Sequence, residues 1–218
     1  CCSSRMPQIC RKHYRQTPHD RRQALTDATL NLLAKGGPEA ATVRLIAQKT
    51  AATQGLVRHY FSTKDDLVAT AYEQYMTRIP AATPAVLEQS FHSHSARLTA
   101  FVTAALTPPV SEPRGVGLWA GFLYMIHSIP RMQAVHAKTY WTFRDRLEGL
   151  IVAALQARDL PHETPLSRRF ATACNGVIDG LWPEGSALPD GFDKDELPEI
   201  GLQSVGVIIG LNLYKTGI

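Results

Sequence analysis

The chain has 218 residues, of which 44% are hydrophobic, so it can bury one large core or two small ones. The formal net charge of +4 is unevenly spread, with 12 Lys/Arg against 6 Asp/Glu in residues 1–78 and 11 against 13 in residues 79–218. A basic front and a near-neutral rear suit contact with a polyanion at one end, although Arg5, Arg11, Lys12, Arg15, Arg21 and Arg22 near the terminus supply much of that balance. Cys1, Cys2, Cys10 and Cys174 have neither metal-ligand spacing nor the look of a disulfide framework. No stretch approaches about 18 uninterrupted apolar residues, and no apolar segment of signal-peptide type follows the N-terminus, so a cytoplasmic protein without a membrane partner is expected.

Residues 1–18 read as a flexible basic arm ending near Pro18. Ala24, Leu25, Ala28, Leu32 and Leu33 then recur at helical spacing, with Asp20 as cap and Gly36-Gly37-Pro38 as stop. Thr42 opens a short helix bearing Val43, Ile46 and Ala47, and Thr53 opens a second that runs to Tyr60. Ser62 or Thr63 caps a helix running toward Ile79, bounded by Pro80 and Pro84. Behind it the pattern predicts helices over Val86–Leu106, Gly115–Ser128 (apolar nearly all round, hence central), Arg131–Ala157, Pro165–Leu188 (broken or kinked at Pro183) and Asp193–Tyr214. Alternating strand patterns are scarce, so the expected fold is all-α with about nine helices. It divides into the arm at 1–18, a DNA-binding domain at 19–64 and a rear effector-binding and dimerisation domain at 65–218.

Two short helices joined by a turn of three or four residues describe a helix-turn-helix over Thr42–Tyr60. Its second helix can enter the major groove, with its N-terminal residues at base edges. Gln54 suits bidentate contact with adenine, and Arg58 suits guanine or phosphate. Gly55 lets backbone approach backbone, and Thr42 and Thr53 mark helix N-termini that favour phosphate. Arg44, His59, Tyr60 and Lys64 complete the candidate DNA-contacting set. Solvated Gln54 and Arg58 and a C-capping His59 are the plain alternatives.

This region resembles the TetR family of bacterial repressors, on Thr42, Ile46, Ala47, Thr53, Gly55, His59, Tyr60, Phe61, Lys64 and Leu67, with Ala28, Leu32 and Gly37 ahead of them. The resemblance implies a double-stranded DNA operator, base contacts from Thr53, Gln54, Gly55, Arg58 and His59, and phosphate contacts from Thr42, Tyr60 and Lys64. Ala51 stands where the family usually has Gly, and a positive φ there costs Ala about 1 kcal/mol. The family is homodimeric through its last two long helices, which correspond to Pro165–Leu188 and Asp193–Leu213. Val177, Ile178, Leu181, Val205, Ile208 and Ile209 with Gly176, Gly180, Gly201, Gly206 and Gly210 suit that interface, or packing within one subunit.

The rear is similar to the choline-responsive repressors of betaine synthesis, on Leu118-Trp119-Ala120-Gly121-Phe122 and Ile178-Asp179-Gly180-Leu181-Trp182. A small quaternary amine as effector needs aromatic faces and no strong hydrogen-bond donors at the cation, each well-placed ring giving about 0.5–2 kcal/mol, and Asp179 can add a counter-charge. Trp119, Phe122, Tyr140, Trp141 and Trp182, with Asp179, form the candidate set, beside Tyr124 and Phe143; ordinary core packing is the alternative for each ring. His127, His136 and Asp179 lack a recognised ligand spacing, so no metal and no cofactor is expected. No phosphate loop, nucleophile elbow or carboxylate pair suggests an enzyme. A helical protein-interaction or small-molecule-binding protein without a DNA role is the rival to a ligand-released repressor.

Overall fold

The computed structural model describes residues 17–78, 87–107, 113–188 and 190–213. Among them are nine helices and no strand. They are α1 (Pro18–Ala40), α2 (Val43–Lys49), α3 (Gln54–Tyr60), α4 (Lys64–Arg78), α5 (His94–Leu106), α6 (Pro113–Ile126), α7 (Pro130–Gln156), α8 (Thr164–Ala187) and α9 (Glu196–Ile209). Most of the expected arm lies outside the described residues, as do Ile79, Pro80, Pro84, Val86 and Tyr214.

Local chemistry sets most boundaries, with a few differences from expectation. Thr17, not Asp20, caps α1, and Asp20 returns a bond to the Thr17 backbone to complete a capping box. The chain leaves helical geometry at Gly36 and Gly37, where Gly37 takes φ +66°. Thr42, Thr53 and Thr63 each accept a backbone N–H at the start of α2, α3 and α4. α5 begins at the Ser93 cap, well after Val86, because Ser93 Oγ takes the Ala96 N–H. α8 runs through Pro183 as one helix rather than breaking there. Gly210 ends α9 in the left-handed conformation, short of Tyr214.

Three apolar clusters hold the molecule. Leu25, Ile46, Ala47, Val57, Phe61 and Leu67 lock α1, α2 and α3 under the start of α4. Leu98, Phe101, Leu147, Ile151, Cys174, Ile178 and Val205 build the rear core from α5, α7, α8 and α9. Between them, Leu30 and Leu33 of α1 and Val68 and Tyr72 of α4 meet Leu118 and Phe122 of α6 and Met132 of α7. The helix α6 is therefore half buried: Leu118, Phe122, Met125 and Ile126 face inward, while Leu123 and Tyr124 face solvent, contrary to a central helix.

Candidate functional site

The front surface is assembled by the two short helices. Val57 is buried against Ile46 and Ala47, so the opposite face of α3 carries exposed Gln54, Gly55, Arg58 and His59. Arg44 is exposed on α2, and Lys64 at the start of α4. The hydroxyls of Thr42 and Thr53 accept the Leu45 and Leu56 N–H groups at 3.2 and 3.1 Å, which leaves each hydroxyl proton to donate to a phosphate. Tyr60 is half buried; its carbonyl accepts from Arg22, whose guanidinium lies 4.4 Å above the Phe61 ring. Lys64 Nζ donates to the Pro38 carbonyl at 3.2 Å, tying α4 to the end of α1. The turn between α2 and α3 does place Ala51 at φ +50°.

Gly55 is informative because nothing in the fold requires it. A side-chain carbon there would meet only Thr53 Oγ1, at 3.8 Å, and the backbone is helical. Its bareness leaves the α3 backbone open to approach from outside.

The rear holds an aromatic cluster where α4, α6, α7 and α8 meet. Trp119 of α6 lies parallel to Tyr140 of α7, with centroids 5.9 Å apart and 11° between planes. Trp182 of α8 meets Trp119 edge-on at 6.0 Å. Phe122 sits one turn on from Trp119 against Tyr72, at 4.5 Å, and Tyr75, at 5.7 Å. Asp179 of α8 accepts from Tyr140 Oη at 3.1 Å and from Asn175 Nδ2 at 2.8 Å. Burial pushes the Asp179 carboxyl above its ordinary range, and those two hydrogen bonds with the nearby Arg144 guanidinium draw it partly back. Burial likewise raises the Tyr140 and Tyr72 phenols.

Of the residues expected around an effector, Trp119, Phe122, Tyr140, Asp179 and Trp182 come together. Trp141 does not. It follows Tyr140 by about 100° of helix, is 48% exposed, and stacks outside the cluster on Arg144 and Arg168, at 5.1 and 5.5 Å. Tyr124 is also outward, and Phe143 packs on Phe101 in the rear core. Tyr72, Tyr75 and Asn175 were missed, and His136, weighed only for a metal, joins the cluster instead. His136 lies 4.3 Å from Tyr140 and 5.7 Å from Trp119, ring to ring. Its position four residues before Tyr140, and that of Asn175 four before Asp179, put each pair on one helix face, a signal readable in the sequence. His127 is exposed and apart, and no metal-binding group of three occurs among the described residues.

The interface residues divide. Gly176 and Gly180 of α8 and Val207 of α9 face outward, Val207 at 84% exposure. Ile178, Val205 and Ile209 are buried in the subunit's own core, and Gly201 is packed on Leu106.

Residues 25–71 match the family model described as bacterial regulatory proteins, tetR family, and residues 94–209 match that described as BetI-type transcriptional repressor, C-terminal. The HTH-type transcriptional regulator BetI of Paraburkholderia phymatum is 31% identical over 79% of this chain and 85% of its own. The structure of a transcriptional regulator from Pseudomonas aeruginosa PAO1 superposes with a TM-score of 0.79 at 26% identity, covering 90% of this chain and 91% of that one. The fold is shared at 17% identity and a TM-score of 0.70 by a regulator from Saccharomonospora viridis solved with choline, over 89% of this chain and 97% of that one. Because the second model alone spans more than half of the chain and agrees with the helix-turn-helix ahead of it, the chain belongs to the TetR family of bacterial transcriptional regulators, with a BetI-type repressor domain at its rear.

Proposed function

We propose that this regulator is a homodimeric repressor released from a palindromic operator by a small quaternary ammonium compound, choline or a close relative, held in the α4–α6–α7–α8 aromatic cluster. The observation that carries the effector class is Trp119, Tyr140 and Trp182 gathered beside the half-buried Asp179. Aromatic faces attract a cation that cannot donate hydrogen bonds, and Asp179 supplies a counter-charge. The relatives named BetI and the choline complex of the Saccharomonospora viridis protein point the same way.

At the front, Thr53, Gln54, Gly55, Arg58 and His59 read bases, and Thr42, Arg44, Tyr60 and Lys64 hold phosphates, with 19–64 as the reading domain and 65–218 as the sensing one. The outward faces of α8 and α9 around Gly176, Gly180 and Val207 meet a second copy. Two α3 helices about one DNA turn apart then span the palindrome. Choline favours the arrangement in which that spacing is wrong and so lowers operator affinity by its differential affinity for the two arrangements. The protein acts by binding in the cytoplasm, without catalysis; no helix among the described residues is long and apolar enough to cross a membrane.

Anisotropy titration of a duplex selected from random sequence, with and without choline, tests the reading. Release by choline is expected, at least about fivefold in affinity. Equal affinity in both conditions retires choline as the effector.

A further inference from the structure

A hydrogen bond ties the aromatic cluster to α4, the helix that follows the helix-turn-helix. Tyr72, fully buried on α4, has its hydroxyl 2.8 Å from His136 Nδ1 on α7. On its other side the same imidazole packs on Tyr140 and Trp119. Burial lowers the His136 pKa and raises that of Tyr72, so a neutral imidazole and a neutral phenol share this hydrogen bond. Five residues earlier on α7, Arg131 pairs with Asp66 and Glu73 of α4, so the same two helices are also held by ion pairs.

α4 is in turn bound to the helix-turn-helix. Gln74 accepts from Gln23 at 3.2 Å and from Thr26 at 2.8 Å, both on α1, and Lys64 holds Pro38. Leu67 at the base of α4 shares the cluster of Ile46 and Val57. Displacement of α4 therefore carries α2 and α3 with it.

We infer that Tyr72 and His136 are positioning residues that couple the effector site to the reading helix. An occupant between Trp119 and Tyr140 has to move the His136 ring, and the Tyr72–His136 hydrogen bond converts that movement into a displacement of α4. The inference rests on the proposed effector site for its ligand, but not for its geometry. Coupling is reciprocal, so DNA binding at α3 must itself disturb His136 with no effector present.

The test uses the full chain with ring-labelled histidine, a duplex selected from random sequence, and choline chloride. The His136 resonance is assigned by its loss in His136→Leu. In the wild type, duplex alone moves that resonance; in Tyr72→Phe, which keeps the ring and removes only the hydroxyl, the movement is largely lost. Choline lowers duplex affinity at least about fivefold in the wild type and less than about twofold in Tyr72→Phe, while still perturbing the rings of the cluster. A His136 resonance indifferent to duplex in the wild type overturns the coupling, as does a full choline response in Tyr72→Phe. If duplex moves His136 only when Tyr72 carries its hydroxyl and choline has no effect on anything, the coupling stands and the quaternary ammonium reading falls. Should Tyr72→Phe fail to fold, His136→Leu takes its place: loss of choline release with choline binding retained supports the coupling, and full release overturns it.

Discussion

At the scale of single residues, Asp179 is where stability and binding conflict. Its carboxyl is raised by burial, so folding favours the protonated form. A carboxyl raised in the folded state stabilises the protein below its unfolded pKa, about 3.9, and that contribution is lost as pH rises through the folded value. At neutral pH the charge is therefore held at a cost. Asp179→Asn keeps an oxygen that accepts from Tyr140, and is expected to melt higher than the wild type at pH 7, with the difference vanishing below about pH 4. Its choline affinity, by calorimetry, should fall at least about tenfold, since a charged partner has been removed from a buried site. A variant that binds choline unchanged would remove Asp179 from the effector site.

Gly55 separates the two roles in the opposite direction. With open space around the missing side chain, Gly55→Ala should stabilise α3 by about 0.5–1 kcal/mol, seen as a higher melting temperature. Duplex affinity should nevertheless fall several-fold, because the added methyl group stands between the backbone and the DNA. Unchanged affinity would place the DNA elsewhere on α3.

At the scale of elements, α6 carries Trp119 into the aromatic cluster while its first turns lie directly on α1. A side-chain carbon at Gly117 would stand 3.0 Å from the Ala34 carbonyl oxygen, which is main chain and has little room to retreat. Gly117→Val should cost about 1–3 kcal/mol in urea unfolding, by forcing the two helices apart. Gly117→Ala should cost less, and a neutral valine would mean that α1 and α6 do not approach as closely as they do here. Helix phase also explains what was legible. Trp141 belonged in the expected site by composition, but Tyr140 beside it occupies the inward direction, and the turn of about 100° to the next residue carries Trp141 out to Arg144 and Arg168. Tyr72 was hidden for another reason: its helix reads as the link behind the helix-turn-helix, and nothing in its own periodicity tells which later helix will cover it.

At the scale of the whole molecule, Val207, Gly176 and Gly180 face outward, and a second copy is the proposed cover for them. An open groove of about 470 Å³ beside α9, lined by Leu202, Gly206, Val207 and Leu211, includes Val207 in its lining. Val207→Glu should convert the proposed dimer to monomer in light scattering, and should weaken duplex binding steeply, because each copy then contributes one α3 alone. A variant that remains dimeric would move the interface away from α9.

The sequence by itself determined the front of this protein. Caps at Thr42 and Thr53, the apolar set Ile46, Ala47 and Val57, and the exposed face of α3 all lie within a few turns of one another. Local hydrogen bonds and helical periodicity decide such a unit, while the positive φ of Ala51 was suggested only by the glycine that the resembled family usually has there. It determined the all-α rear as well, and brought Trp119, Tyr140, Asp179 and Trp182 under suspicion. Only the tertiary structure decided that these four meet, that His136 and Tyr72 join them, that Trp141 does not, and that Gly201 and Ile209 serve one subunit's core while Val207 does not. The physical reason is that these contacts join residues tens of positions apart on separate helices. Each helix's pattern specifies which face is buried, but the crossing of helix on helix selects the partner for that face.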